Sequence, residues 1–359
     1  MSIRILPYAQ SAVPAVREFN QRLLAGGATA DHEQFPESPD PGWMPRLELF
    51  LAVEESLVRG GYMLRHQNFS VAGATCAAAH YRLPLSEGVI NRSYAMLGLR
   101  MVRDALARES RLYAIGMAGW DKPLPQMLRR LGWTMDAVPF HFRVVHPCRF
   151  LRHIRSLRTS PLRRAALDAA TFTGAGWLGI KALSLAASFA RRPPPGAFDL
   201  ASGFTPWADE VWSRSRPAYA LLAQRDAATL DQLYPPADAR FLRVRAAGGW
   251  AVLLDTQMQN HKQFGDMRVG TIVDCLAPPE SAAAVIRVCA GLLEQRGVDL
   301  IVSNQTHAAW SRALLESGFR TGPSNYLLAL SPAFAQAAGG ANPGRFHINR
   351  GDGDGPIHL

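Results

Sequence analysis

Polar side chains that can move a proton or hold a carbonyl oxygen follow two neighbouring apolar runs in the second half of the chain. Asp274 and Cys275 end the first run, and Asn304 and His307 follow the second. A histidine titrates near neutral pH and can accept a proton, and an asparagine amide can hydrogen-bond to a carbonyl. These side chains can act together only if both runs are parallel strands, whose carboxyl ends share one edge of a sheet.

Each of these residues also has a structural interpretation. Asn304 or Thr306 can cap the helix that follows, because both side chains accept hydrogen bonds from backbone N–H groups. Cys275 is more typical of a buried small hydrophobe than of a nucleophile. The residue types alone therefore leave a catalytic and a structural interpretation open at this edge.

The elements that must position these residues alternate between strand and helix. Runs rich in β-branched residues predict the strands, and apolar residues spaced three or four apart predict the helices. The predicted order is strand 268–276, helix 281–296, strand 298–303 and helix 308–317, with Gly318 as the stop. A strand–helix–strand unit of this length implies parallel pairing with a right-handed crossover.

The same pattern occurs earlier in the chain. Residues 97–133 align with residues 283–319 without a gap. The identical positions are Val102 with Val288, Leu106 with Leu292, Ile115 with Ile301, Leu128 with Leu314, and Gly132 with Gly318. Each falls on a predicted packing or stop position, so we interpret the chain as two copies of one α/β domain.

Length and composition agree with two globular domains. The chain has 359 residues, of which 48% are hydrophobic and 19% charged, so each half can bury its own core. The predicted divisions are an N-terminal domain (1–148), a basic and apolar helical connector (149–196), a C-terminal domain (197–332) and a Gly-rich tail (333–359). The predicted fold class is α/β, with two domains in tandem, each a mixed sheet with flanking helices.

Charge and cysteine usage narrow the range of partners and of cellular compartments that we expect. The formal net charge of +10 favours nucleic acid, anionic lipid or phosphate-bearing ligands, or else reflects a basic solvated surface. The four cysteines have no metal-ligand spacing, so we predict no metal site and a reduced, intracellular setting. The first residues lack a long apolar run, so we expect no signal peptide and a cytoplasmic protein.

Several segments outside the repeat also carry expectations. In the connector, arginines precede an apolar stretch at 165–190, which predicts helices packed on a domain or lying on an anionic membrane surface, the first being favoured. The polar loop 31–45 is a candidate substrate lid. Gly60 and Gly61 separate two strand-like runs and predict a hairpin turn. The tail contains Asp352-Gly-Asp-Gly, which lacks the later acid of a calcium loop, so a flexible or domain-docked tail is expected.

The order of elements in each half resembles the GNAT acyltransferase superfamily. Each half runs strand, helix, hairpin, long strand, helix, strand, helix and closing strand, with a glycine–aromatic step (Gly132-Trp133 and Gly318-Phe319) after the last helix. The resemblance covers residues 3–147 and 198–331. Two copies in one chain look like the tandem arrangement of Fem-type aminoacyl transferases and related polysaccharide-locus acyltransferases.

The resemblance implies a loop that holds the pyrophosphate of acyl-CoA between the long strand and its helix. In the family this loop has the form Arg/Gln-x-x-Gly-x-Gly/Ala, so that backbone N–H groups approach the phosphates. The first copy retains Arg92 and the small residues Ser93 and Ala95 but not the glycine spacing. The second copy has Pro278, Pro279 and Glu280 there. The first copy therefore has the better phosphate loop, and the second has the more polar cleft.

The resemblance also assigns roles. Direct transfer of an acyl group to an amine needs a base, a donor to the thioester oxygen and an acid for the thiolate. The implied catalytic residues are Asp274, Asn304 and His307 in the second copy and Glu87 in the first. The residues implied to bind acetyl-CoA or another acyl-CoA are Arg92, Ser93, Ala95 and Cys275.

The sequence thus predicts an N-acyltransferase that acts on an amine, with an amino sugar or a cell-envelope glycan precursor as the acceptor that the resemblance implies. Two alternatives stay open. The basic cluster in residues 149–164 favours an aminoacyl-tRNA-dependent transferase of the Fem type, with tRNA as partner. The altered phosphate loops favour a catalytically degenerate pair that serves as a binding module.

Overall fold

A computed structural model describes residues 3–28, 34–40, 42, 46–155, 197–340 and 342–353. The predicted connector from residue 156 onward and the last six residues of the tail lie outside these ranges. The strands are β1 (Arg4–Pro7), β2 (Leu47–Glu54), β3 (Leu57–Val71), β4 (Ala74–Ser86), β5 (Leu112–Gly116), β6 (Thr134–Ala137), β7 (Phe140–Val144), β8 (Phe198–Ala201), β9 (Leu221–Ala223), β10 (Leu242–Ala246), β11 (Gly249–Gln257), β12 (Arg268–Leu276), β13 (Leu300–Asn304), β14 (Arg320–Gly322), β15 (Leu327–Leu330) and β16 (Phe346–His347). The helices are α1 (Val13–Ala25), α2 (Leu97–Arg108), α3 (Pro123–Arg130), α4 (Pro147–His153), α5 (Pro206–Ser215), α6 (Ala227–Leu233), α7 (Ala282–Gln295), α8 (Ala308–Glu316) and α9 (Pro332–Ala337).

The chain divides into two compact units, and neither is continuous in sequence. Unit 1 contains Met1–Asp136 and Leu327–Ala341, and unit 2 contains Ala137–Tyr326 and Asn342–Leu359. Within the described parts of both units, no helix combines the length and the apolar character needed to cross a membrane.

Unit 1 has a mixed sheet in the order β1-β2-β3-β4-β5-β15-β6. Neighbours from β1 to β4 are antiparallel, β4 and β5 are parallel, and β15 is antiparallel to β5. One face carries α2 and α3, which pack on residues such as Tyr62 and Tyr81. The other face carries α1, through Val16, Phe19 and Leu23.

Unit 2 repeats this plan with the sheet order β14-β7-β13-β12-β11-β10-β8. Here β12 and β13 are the parallel pair, and β7 lies antiparallel to β13. The larger core contains Trp250 and Trp310 and is covered by α5, α6, α7 and α8. The predicted duplication is thus confirmed as two mixed α/β sheets with flanking helices.

The repeat positions take equivalent places in the two units. Helix α2, strand β5 and helix α3 correspond to α7, β13 and α8 in the same order. Gly132 and Gly318, which follow α3 and α8 closely, have φ values of 79° and 83°. Glycine adopts this left-handed conformation without a steric penalty, which explains why both helices stop at a glycine.

The closing strand of each half completes the sheet of the other unit. Strand β7 follows the first half in sequence but pairs with β13 and β14 in unit 2. Strand β15 follows the second half but pairs with β5 in unit 1. The sequence divisions at 148 and 197 follow the chain, whereas the compact units follow this exchange.

The hairpin turn predicted at Gly60 and Gly61 lies elsewhere. The chain turns between β2 and β3, where Glu55 has a φ of 56°, and both glycines lie inside β3. Both positions require glycine because other atoms lie too close to the backbone for a side chain to fit. A Cβ at Gly60 would lie 2.7 Å from the carbonyl oxygen of Leu85, and one at Gly61 would lie 2.8 Å from the ring of Phe35.

We therefore expect Gly60→Ala to lower the free energy of unfolding by about 1–3 kcal/mol, because a backbone oxygen cannot move aside cheaply. Gly98→Ala is the matched control. Its Cβ would meet only the side chain of Met127, with Sδ at 3.8 Å and Cε at 3.9 Å, and alanine favours a helix by up to about 1 kcal/mol over glycine. Urea unfolding of both variants checks this, and equal effects would contradict it.

Candidate active site

Both units contain a parallel strand pair that stops early. In unit 2, β12 and β13 pair from Val269 with Leu300 to Ile272 with Ser303. In unit 1, β4 and β5 share only two pairs, the last being His80 with Tyr113. We call the gaps beyond these pairs the unit 2 wedge and the unit 1 wedge. Backbone groups at the edges of each wedge lack their parallel-strand partner.

The unit 2 wedge is filled by the C-terminal segment, residues 346–353. His347 hydrogen-bonds the carbonyl oxygen of Cys275 on β12 at 2.6 Å. On the other side, the N–H of Thr306 donates to the carbonyl of Ile348 at 3.1 Å. Asn349 forms an isolated bridge with Gln305. The segment is therefore bonded to both edges, as an inserted strand would be.

Asp274 holds this segment through a buried charge cluster. The Nε of Arg225 donates to both carboxylate oxygens of Asp274, at 2.9 and 3.1 Å, and another nitrogen of Arg225 donates to Asp352 at 2.8 Å. Tyr234 donates its hydroxyl to Asp274 at 2.7 Å, and Asn349 donates its amide at 2.8 Å. All five side chains are at most 1% exposed. The Asp274 carboxylate thus has every acceptor position occupied.

The other candidates of the second copy lie at the same edge and are also engaged. Asn304 accepts from Arg350 at 3.2 Å. His307 caps α8 by accepting the N–H of Ala309, and burial lowers the pKa of its imidazole. Cys275 is fully buried, and this burial raises the pKa of its thiol well above the usual value. A side chain does cap this helix, but it is His307 and not Asn304 or Thr306, so the predicted capping residues are wrong.

His347 lies in a buried ring stack under this edge. Its ring stacks on Tyr219 at 4.8 Å and on Trp310 at 5.3 Å between centroids. The carbonyl of Cys275 can only accept, so Nε2 of His347 carries the proton. Burial, aided by the nearby Arg225, lowers the pKa of His347 to about 3.

The start of α7, the helix that follows the unit 2 wedge, is unfavourable for binding an anion. Pro278 and Pro279 lack N–H groups, and Glu280 adds a negative charge in the turn before α7. Tyr219 donates its hydroxyl to the carbonyl of Ala277 at 2.6 Å, which ties this turn to the ring stack.

The unit 1 wedge has different borders. Among the described residues of unit 1, no backbone hydrogen bond bridges β4 beyond His80 to β5 beyond Tyr113. On one side, Leu83 has a φ of 43° at a register shift of β4. On the other side, the four residues 116–119 have φ values of 101°, 58°, 57° and 118°. Strained backbone of this kind is concentrated at ligand sites.

Glu87 is clamped between two arginines in the loop that joins β4 to α2. Arg22 donates to one carboxylate oxygen at 2.7 Å, and Arg59 donates to the other at 2.8 Å. Arg59 also contacts Glu54, which accepts the hydroxyl of Tyr94 at 2.6 Å. The Tyr94 hydroxyl, together with Arg59, lowers the pKa of Glu54. These contacts fix the loop at both of its ends.

The predicted donor-binding residues of the first copy are exposed at the start of α2. Arg92, Ser93 and Ala95 lie on the surface, and Asn91 fixes their turn by accepting the N–H of Ser93 at 3.0 Å. No side chain caps α2. The first N–H groups of a helix have no partner within it, so this end of α2 attracts an anion.

Three exposed apolar side chains lie on the segments that follow β4 and β5 in unit 1. Val89 and Met96 lie in the loop before α2, exposed by 57% and 64%, and Trp120 follows β5, exposed by 39%. They are three of the seven large apolar side chains exposed among the described residues. Arg129 lies over the ring of Trp120 at 4.9 Å. Exposed apolar side chains on segments that border an open strand edge favour a ligand surface there.

The structure thus brings Asp274, Cys275, Asn304 and His307 together in unit 2, and Glu87, Arg92, Ser93 and Ala95 together in unit 1. Sequence reasoning missed the residues that close the unit 2 wedge, namely Arg225, Tyr219, Tyr234, His347, Asn349 and Asp352. The Asp352-Gly-Asp-Gly run was the one signal for them, and its docked interpretation is confirmed through residue 353.

We expect Asp274→Ala to lower the free energy of unfolding by about 3–5 kcal/mol, because it leaves Arg225 buried with half of its charge partners. The control is Asp238→Ala, which breaks an exposed ion pair with Arg240 and costs less than about 1 kcal/mol. Denaturant unfolding measures both. A loss below that of the control would contradict a structural role for Asp274.

The buried His347 predicts an acid-sensitive stability. Because its folded pKa is about 3 and an unfolded histidine titrates near pH 6.5, the unfolded state binds the proton first as the pH falls. His347 therefore contributes stability above pH 6.5 that is lost toward pH 3, at up to about 1.4 kcal/mol per pH unit. The pH slope of unfolding free energy should be shallower in His347→Gln, and parallel slopes would refute the assignment.

No protein-family model matches the sequence, and no curated protein matches it. Solved structures do resemble it. A GCN5-related N-acetyltransferase from Kribbella flavida aligns with a TM-score of 0.55 and 12% identity, covering 92% of this chain and 73% of the other. Saccharomyces cerevisiae N-myristoyltransferase, solved with bound myristoyl-CoA, aligns at 0.51 and 8% identity, over 92% and 78%.

A third solved structure resembles the chain in the same way. A probable N-acyltransferase from Enterococcus faecalis aligns at a TM-score of 0.50 with 9% identity, over 91% of this chain and 72% of that chain. At identities this low, the likeness concerns the fold alone. The chain therefore has a GNAT-like fold in two tandem copies, and the Fem-type and polysaccharide-locus relationships stay predictions.

Proposed function

We propose that the chain is an N-acyltransferase that takes an acyl group from acyl-CoA bound in the unit 1 wedge and passes it to an amine. The observation that carries the proposal is the contrast between the two wedges. The unit 2 wedge is bonded on both sides to the protein's own residues 346–353. The unit 1 wedge leads to an uncapped helix start beside Arg92.

The borders of the unit 1 wedge suit the parts of coenzyme A. Its pantetheine arm carries two amides, which can pair with the edges of β4 and β5 that border the wedge, as an added strand does. Its diphosphate can approach the N-terminal N–H groups of α2, with the Arg92 guanidinium nearby. The exposed side chains of Trp120, Met96 and Val89 can make apolar contacts with the rest of coenzyme A.

The reaction we propose is direct transfer. The amine nitrogen attacks the thioester carbonyl, the N–C bond forms and the C–S bond breaks. One amine proton leaves, and the thiolate is protonated to give free CoA. Positioning the amine against the thioester in the unit 1 wedge supplies much of the rate enhancement.

The contacts revise the roles that the resemblance implied. Both oxygens of Glu87 are held by arginines, so we assign Glu87 to fixing the phosphate loop rather than to taking the proton. We assign Asp274, Asn304, His307 and Cys275 to closing the unit 2 wedge. Unit 2 then matches the degenerate alternative, while unit 1 retains the donor site.

We assign the acceptor less specifically than the acyl-CoA donor. An amino sugar or a cell-envelope glycan precursor is the class that the resemblance implies, and it stays a prediction. The tRNA and membrane alternatives depended on the basic and apolar connector, most of which lies outside the described residues. We therefore propose an amine acceptor without a narrower class.

Acetyl-CoA should stabilise the protein, because a ligand selective for the native state raises the free energy of unfolding by about 2.7 kcal/mol at a hundredfold excess over its Kd. Arg92→Ala should weaken binding roughly fivefold, the equivalent of about 1 kcal/mol for an exposed charge contact. Denaturant unfolding with and without acetyl-CoA measures the first effect, and isothermal titration with CoA and acetyl-CoA measures the second.

Arg103→Ala is the matched control, since Arg103 is an exposed arginine two turns further along α2. It should leave CoA affinity unchanged. Equal losses in both variants would indicate general charge attraction and not a site at the helix start. No binding of CoA or acetyl-CoA at millimolar concentration would overturn the proposed function.

A further inference from the structure

Four aromatic rings lie at the narrow end of the unit 1 wedge, two on each face of the sheet. The last parallel pair is His80 with Tyr113, and Tyr81 follows on β4. Tyr81 and Tyr62 belong to the core under α2. His80 is the strand neighbour of Tyr81, and Tyr113 is the neighbour of the core residue Ala114, so both project from the opposite face. Each of the four rings is at most 1% exposed.

The rings are packed on both faces of the sheet. On the α2 face, Tyr81 lies 5.4 Å from Tyr62 between centroids, and the Tyr62 hydroxyl bonds Asp104 of α2. On the opposite face, His80 stacks on Tyr113 at 4.6 Å with an interplanar angle of 16°. Phe69 contacts the edge of Tyr113 at 5.4 Å. The narrow end is therefore blocked above and below the strands.

We propose that this ring cluster limits the donor to short acyl groups such as acetyl and propionyl. The inference rests on the proposed function, since it concerns the acyl end of the same bound donor. A thioester held along β4 points its acyl group toward the last strand pair. A longer chain cannot continue in the plane of the sheet, because the strands are hydrogen-bonded there.

A longer chain would then have to leave through one face, where it meets packed rings. Forcing extra methylenes into a packed site displaces side chains from their rotamers. The Tyr81 hydroxyl and the Nδ1 of His80 are also buried without a hydrogen-bond partner among the described residues. An alkyl chain pressed against them supplies no partner either, so it does nothing to offset the cost of displacing the rings.

Titration calorimetry of the full chain with CoA, acetyl-CoA, propionyl-CoA, hexanoyl-CoA and octanoyl-CoA tests this. We expect the first three to bind within about threefold of one another, and the last two at least about tenfold more weakly, in line with methylene discrimination in packed pockets. Octanoyl-CoA binding as tightly as acetyl-CoA would overturn the inference and leave the proposed function standing. Absence of binding by all five would overturn both.

Substitutions of Tyr81 test whether its ring limits the length of the acyl chain. Tyr81→Ala should raise the affinity for octanoyl-CoA at least about tenfold relative to acetyl-CoA, because it opens the α2 face. Tyr81→Phe keeps the ring and should keep the wild-type profile, and loss of an unpartnered hydroxyl should not destabilise it. Tyr81→Leu serves as a milder enlargement if the alanine variant does not fold. An unchanged profile in both enlarged variants would refute the role of Tyr81.

Discussion

A parallel strand pair that stops early leaves backbone N–H and C=O groups facing a gap, and these groups need partners once water is excluded. Both units depend on this constraint. In unit 2 the pairing ends at Ser303, and the gap beyond it is satisfied by residues 347–349. In unit 1 the parallel pairing comprises only two residue pairs. The same fold therefore yields a self-satisfied wedge in one copy and a wedge suited to an amide-bearing ligand in the other.

The closure of unit 2 depends on one arginine. Arg225 lies between Asp274 of the strand and Asp352 of the C-terminal segment, and all three are buried. A buried ion cluster adds little net stability over apolar packing, but removing one member is costly. The cluster thus ties the C-terminal segment to the end of β12. It also explains why a polar strand end that resembles a catalytic site is occupied by structural contacts.

Local signals in the sequence predicted much of the fold. The bounds of β12 were predicted without error, and Gly132 and Gly318 marked both helix ends. The exchange of β7 and β15 could not be predicted, because two short apolar strands of similar pattern fit the same place in either sheet. Gly60 and Gly61 read as a turn because the contact that requires them, with Leu85 and Phe35, is distant in sequence.

The candidate site was harder to predict for a related reason. Polar residues at strand ends drew attention to unit 2, yet Asp274 and Asn304 bond to the chain's own C-terminal segment. A wedge that binds its ligand through backbone groups leaves almost no side-chain signature. What remains visible is the start of the next helix, where the two copies differ: Asn91, Arg92 and Ser93 in one, two prolines and Glu280 in the other. Because prolines remove donors and a glutamate repels phosphate, that difference alone favours unit 1 as the donor site.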